Sequence, residues 1–192
     1  MIHETIVTTT GADDYTHVAP MGVHVNGDDY IIMPFRPSTT LEHILVSGHA
    51  VLNHTDDVRI FAGCLTGRRD WPVTDSTTVA GKRLMHSLSH QEVELVNFVD
   101  DPKRPKLHCK VVYEQMHQPF NGFNRAQFAV LEAAILVSRL SRLPWPKINT
   151  ELQYLKIGVD KCAGNREREA WGWIMQTVEE FKLEHPDLVN AQ

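Results

Sequence analysis

Near residue 122 the chain changes from one kind of pattern to another, and that change limits the folds open to it. Before it, short β-branched runs alternate with turn residues. "HETIVTTT" ends at "GADD", and "YTHVAPMGVHV" runs into "NGDD", a tight-hairpin signal. "YIIMPF" follows as a third strand, and "HAVLNHT" reads as another. "VRIFAGCL" is apolar and fits helix or strand, and after the loop "GRRDWPVTDS" more strands follow. In "KLHCKVVYEQM", Leu107, Cys109, Val111 and Tyr113 alternate with polar residues up to Lys110, the pattern of a half-buried strand. "SHQEVELVNFV" alternates and then slips near Val96, which predicts a bulge; "DDPKRPK" between these two is a turn. Pro20 interrupts the second strand, so the chain there is an edge or a bulge with one ladder donor missing.

After residue 122, "NRAQFAVLEAAILVSRLSRL" is apolar nearly all round and predicts a buried helix, stopped at "LPWP". "INTELQYLKIG" predicts a second helix, capped by Asn149 or Thr150. In "NREREAWGWIMQTVEEF", Ala170, Trp173, Ile174, Thr177, Val178 and Phe181 share one face, giving a third, amphipathic helix. Many antiparallel strands before a helical tail predict an α+β protein. A small closed barrel would leave so many short strands without exposed edges. The expected division is a barrel over 1–121 and a helical extension over 122–192, packed on the barrel, on a partner subunit or on both, as one compact unit.

At 192 residues with 42% hydrophobic content the chain can bury a real core. A net charge of −5 argues against a nucleic-acid binder, and "GRRD" and "PKRPK" read as solvated loop charge. Cys64, Cys109 and Cys162 are far apart and odd in number, which fits a reducing cytoplasm rather than a disulfide framework. The N-terminus lacks the pattern of a signal peptide, and no apolar run approaches the ~20 residues of a membrane span. His86 and His90 stand four apart and His49 and His54 five apart, but a metal site needs three or four converging ligands, so none is expected. Cys64 and Cys109 read as small core hydrophobes.

The chemistry concentrates at "MPFRPSTTLEHI". Arg36 offers a planar charged fork that matches phosphate oxygens, and Ser38, Thr39 and Thr40 offer hydroxyls. A helix starts here, with Thr39 and Glu42 in capping-box spacing and Ser38 as a competing cap, and Gly48 as its stop. Its leading amides and dipole add further attraction for an anion. The alternative is a capped helix beside a surface arginine. Asn53, within an apolar strand, either satisfies a neighbouring backbone group or reaches a ligand. Gly22 permits close approach of a backbone or a flat ligand, or marks a barrel corner. Trp71 with Arg68 and Arg69 could cover a ligand or a neighbouring subunit.

The segments "ETIVTT…VAPMGV", "PFRPSTTLEHI…SGHAVLNHTDDV.IFA" and "NRAQFAVLEAAILVSRL" resemble, in order and over nearly the whole chain, a family of unknown physiological function found in methanogenic archaea and some bacteria. That family lies in the flavin-reductase-like, FMN-binding split-barrel superfamily. The resemblance implies a cytoplasmic homodimer of split barrels with FMN at the subunit interface. It assigns the FMN phosphate to Arg36, Ser38, Thr39 and Thr40, the isoalloxazine ring to backbone groups of Ala19, Pro20, Met21 and Gly22, and a direct or indirect phosphate contact to Asn53. It implies an FMN-dependent oxidoreductase or flavin reductase with a nicotinamide or deazaflavin donor. The alternative is a flavin carrier, sensor or interaction protein without turnover. The family often has lysine in place of Arg36, and "NRA" replaces its usual histidine-arginine-alanine.

Overall fold

The computed structural model describes residues 1–190. It divides into two units: residues 1–56 with 69–120, and residues 57–68 with those from 121 onward. Residues 57–68 group with the helices rather than with the barrel residues on either side of them.

The first unit contains β1 (Ile2–Thr10), β2 (Thr16–Asn26), β3 (Asp29–Ile32), α1 (Thr39–Ser47), β4 (His49–His54), β5 (Val73–Asp75), β6 (Lys82–Leu84), β7 (Ser89–Val99) and β8 (Lys106–Met116). Six strands close a barrel in the order β1-β2-β3-β8-β7-β4, and β5 and β6 form a separate hairpin. Every barrel pair is antiparallel. Inward-facing Val7, Val23, Ile32, Leu52, Val93 and Leu107 fill the barrel. Leu41 and Ile44 of α1 pack against the same cluster. Gly48 ends α1 at φ 78°, where a side chain would be strained, and its N–H returns to Ile44 O.

The slip near Val96 is a real bulge: Leu95 faces Cys109 and Asn97 faces His108, leaving Val96 unpaired and exposed. A second shift, between Glu92 and Val93, leaves Val112 as the extra residue on β8. The alternation of β8 carries no sign of it.

The second unit contains α2 (Val58–Leu65), α3 (Arg125–Val137), α4 (Trp145–Cys162), α5 (Asn165–Glu184) and α6 (Pro186–Asn190). "VRIFAGCL" is therefore a helix, capped by the Asp57 carboxylate on Arg59 N–H. Val58 and Ala62 share a core with Ala126, Ala133, Ile148 and Ile174. The alanines of α3 let its neighbours approach closely. At Gly158 of α4 an added Cβ would lie 3.1 Å from Arg125 O. The expected start of α4 at Asn149 or Thr150 is too late. The helix begins at Trp145, and Pro146 sits in its first turn, where proline's missing N–H costs nothing. No helix among the described residues is long and apolar enough to cross a membrane.

Leu52 is fully buried inside the barrel. Leu52→Ala is expected to lower stability by about 2–5 kcal/mol, read as a lower urea midpoint with an unchanged slope.

Candidate functional site

The corner after β3 forms as a helix start, with Ser38 as the cap: its Oγ accepts from Leu41 N–H at 3.2 Å. Ser38 therefore prevails over Thr39, which is exposed. Thr40 is different. It is fully buried, and its Oγ1 has no hydrogen-bond partner. An orphaned buried hydroxyl costs free energy unless something completes it. Two leading amides of α1, those of Thr39 and Thr40, precede the first intrahelical donor, Glu42 N–H.

Arg36 is not a free fork. Its Nη2 donates to Asp100 Oδ1 at 2.5 Å and its Nε to Asp101 O at 3.1 Å, while its backbone N–H donates to Lys103 O. Arg104 lies over the Phe35 ring at 4.8 Å and donates to Met33 O. The β7–β8 turn, whose composition reads as solvated charge, is thus folded onto the corner. The Arg36 and Asp100 side chains are 38% and 72% exposed, so their pair is a weak surface contact that an anion can exchange.

The Ala19–Gly22 segment lies in the middle of β2. Val25 N–H donates to Met1 O, so odd-numbered residues of β2 turn their backbone groups to β1. Even-numbered ones turn the other way, where β3 pairs only with His24, Val25 and Asn26. Pro20 C=O and Gly22 N–H and C=O therefore lie on an edge beyond the reach of β3. Pro20 is tolerated there because its missing donor would face no strand. Ala19 and Met21 are committed to β1.

Asn53 is spent on hydrogen bonds within the fold. Its Nδ2 donates to Ile6 O, Thr8 Oγ1 and Val51 O at 3.0, 3.1 and 3.2 Å, and its Oδ1 accepts from Leu84 N–H at 2.7 Å. The amide joins β1, β4 and β6 and has nothing left for a phosphate. The sequence shows its burial, but not that the β5–β6 segment would supply its partner.

That segment is held by a second group which no sequence pattern marks. Glu92 is fully buried and accepts from the amides of Thr77, Thr78 and Val79 at 2.6, 2.6 and 2.8 Å and from His90 Nε2 at 3.1 Å. Burial raises the Glu92 carboxyl, but the three amides and His90 outweigh it and hold it below its ordinary value of 4.5. His90 lies below the ordinary 6.5, by burial first. His86, four residues before it, is exposed. Elsewhere, burial first and then Asp29 push the Cys109 thiol up to about 12, so it is a packing group. Arg68 lies over Trp173 at 4.6 Å.

A six-stranded antiparallel barrel with a helical region after it is an α+β class of fold that superposes on solved flavin-reductase-like structures. Within that class the chain belongs to the DUF447 family of proteins of unknown function: the family's N-terminal domain matches residues 3–118 and its C-terminal part residues 124–176. Among solved structures, an FMN-bound protein of this family from Methanosarcina mazei superposes with a TM-score of 0.78 at 19% identity, over 92% of this chain and 94% of that one. Nitrilotriacetate monooxygenase component B from Mycobacterium thermoresistibile gives 0.53 at 15% identity, over 63% and 73%. Flavoredoxin from Methanosarcina acetivorans gives 0.51 at 13%, over 60% and 69%. No curated protein matches the chain.

Replacing Asn53 by Ala leaves Leu84 N–H without its acceptor. The expected cost is about 1–3 kcal/mol, with faster hydrogen exchange at Leu84. Glu92 and His90 both bind protons more weakly in the fold than in the unfolded chain. Their stabilisation is therefore present above the unfolded values and lost on acidification, first below 6.5 for His90 and then below 4.5 for Glu92. Glu92→Gln is expected to cost more stability at pH 7 than at pH 3, measured as urea midpoints.

Proposed function

We propose that the barrel unit binds FMN. Its phosphate sits at the start of α1, and its isoalloxazine ring lies along the Pro20–Gly22 edge. The reading is carried by the family relation to a protein whose structure holds FMN. The residues here fit the group. Thr40 Oγ1 is a buried donor without a partner, and α1 leads with free amides. Arg36 exchanges the Asp100 carboxylate for the phosphate. Gly22 N–H and C=O and Pro20 C=O offer a row of backbone groups to the polar edge of a flat ring. At Gly22 an added Cβ would meet Ile2 Cγ2 at 2.9 Å and Glu4 Oε1 at 3.2 Å, so the glycine makes room for β1 side chains, and the ring is offered backbone groups only. Thr39 contributes its amide, Ser38 shapes the helix start, and Asn53 takes no direct part.

The redox chemistry belongs to the flavin, and the protein holds it and sets its surroundings. The reaction we assign is that of an oxidoreductase or flavin reductase taking electrons from a nicotinamide or deazaflavin. The active form is a homodimer in which a second copy completes the ring pocket.

The purified protein mixed with FMN is expected to stay yellow after gel filtration; a colourless protein overturns the reading. Arg36→Ala is expected to weaken FMN by at least about tenfold, from the ~1.5 kcal/mol of a lost charged contact. Asp100→Asn removes the internal competitor and is expected to tighten binding by up to about fivefold. Thr40→Val is expected to leave the ligand-free protein as stable or more so, yet to weaken FMN binding. A purely structural Thr40 would not separate the two effects.

A further inference from the structure

The row on β7 continues from Glu92 to His90 and through it to a second histidine, His117, which the flavin reading does not use. His90 Nδ1 lies 2.9 Å from His117 Nε2, just past the end of β8. The two ring centroids are 5.0 Å apart and the planes differ by 8°. That spacing is too wide for face-to-face contact. It is what two rings lying edge to edge in one plane would show, with the N–H directed along the neighbouring lone pair.

The protons in this chain follow from its inner end. A carboxylate that accepts from three amides has no proton to give. His90 Nε2 must therefore carry the hydrogen it shares with Glu92. Neutral His90 then has a bare Nδ1, so His117 Nε2 must carry the next hydrogen. What remains is the lone pair on His117 Nδ1, on a half-buried ring at the outer end. The groups around the chain are Tyr113 on β8, Arg83 on β6 and His54 on β4. For His117, burial first and then Arg83 and His90 disfavour the cation, so it is neutral and ready to accept near pH 7.

We propose that His117 is a general base acting at Nδ1 on a small oxygen or carbon acid bound at this face, with His90 and Glu92 as its positioning residues. In that step the bond from the acid to its hydrogen breaks, the electron pair stays on the acid, and the proton forms a bond to Nδ1. No proton needs to reach Glu92. The positive charge gained by His117 strengthens both hydrogen bonds behind it, and the buried carboxylate balances that charge. Arg83 favours the anion that the acid becomes. The arrangement is that of a carboxylate orienting a histidine, extended by one ring. Holding the 77–79 turn requires only Glu92. It requires neither an in-plane second histidine nor a bare outer nitrogen.

The tautomers can be read directly on the full chain by long-range proton–nitrogen correlation with 15N-labelled histidine near pH 7.5. Both His90 and His117 are expected to show hydrogen on Nε2 and a bare Nδ1; hydrogen on Nδ1 of His117 overturns the assignment. Acylation by diethyl pyrocarbonate then tests reactivity. His117 is expected to react faster than the exposed His86. Its rate is expected to fall about tenfold in His90→Phe, the low end for removing a histidine's orienting partner. A rate unchanged by that substitution also overturns the assignment. The tautomer measurement needs no variant, so it decides the question even if His90→Phe does not fold.

Discussion

The barrel unit depends on a buried polar layer between the outer faces of β1, β4 and β7 and the segment that carries β5 and β6. Asn53 and Glu92 are both fully buried, and both point their oxygens at backbone N–H groups of that segment. Thr8 adds a bond to Lys82 O at 2.6 Å. Such a layer is strong only while every member is satisfied, because an unpaired polar group in a low-dielectric interior costs more than a hydrogen bond returns. It also selects one register for a short hairpin that has little apolar surface of its own to hold it in place. Nonspecific apolar packing would tolerate a slide of β5–β6, and these directed bonds do not.

The same layer separates two chemistries. Inside the barrel the residues are aliphatic and closely packed. The groups suited to ligands stand at its margins: the start of α1, the uncovered edge of β2, and the outer end of the His117 chain. Each margin exists because a regular element stops before its neighbour does. β3 is 4 residues long beside an 11-residue β2, and that difference is what leaves Pro20 and Gly22 open. The Arg36 fork is held by an internal carboxylate, so the corner carries its own stand-in for the oxygens of an incoming anion. The helical unit works by a different rule. Its α3 is built from small residues, and close helix approach replaces directed bonds.

Much of this fold is legible in the residue pattern. The strands follow from β-branched alternation, the β2–β3 hairpin from Asn26–Gly27, the end of α1 from Gly48, and the bulge from the break at Val96, because each depends only on neighbours a few residues away. Short apolar runs are less legible, as with α2, whose length and composition suit either helix or strand. The prolines of "LPWP" signal a stop, yet Pro146 sits in a helix's first turn, and the two roles look alike in sequence. The site is partly legible. Hydroxyls beside an arginine at a helix start are plain from residue types, whereas the commitments of those residues are not.

By itself, the sequence determined most of the strands and helices, though not α2 or the start of α4, where α1 ends, and which residue types gather at the corner. These follow from short-range sterics, capping and periodicity. Only the tertiary structure decided that Asn53 is a staple and Ser38 a cap, that Thr40 keeps an unpartnered hydroxyl, and that Asp100 faces Arg36. It also decided that His117 lies in the plane of His90. Those outcomes rest largely on pairings between residues tens of positions apart, and closure of the barrel sets such pairings through register, which no local pattern encodes.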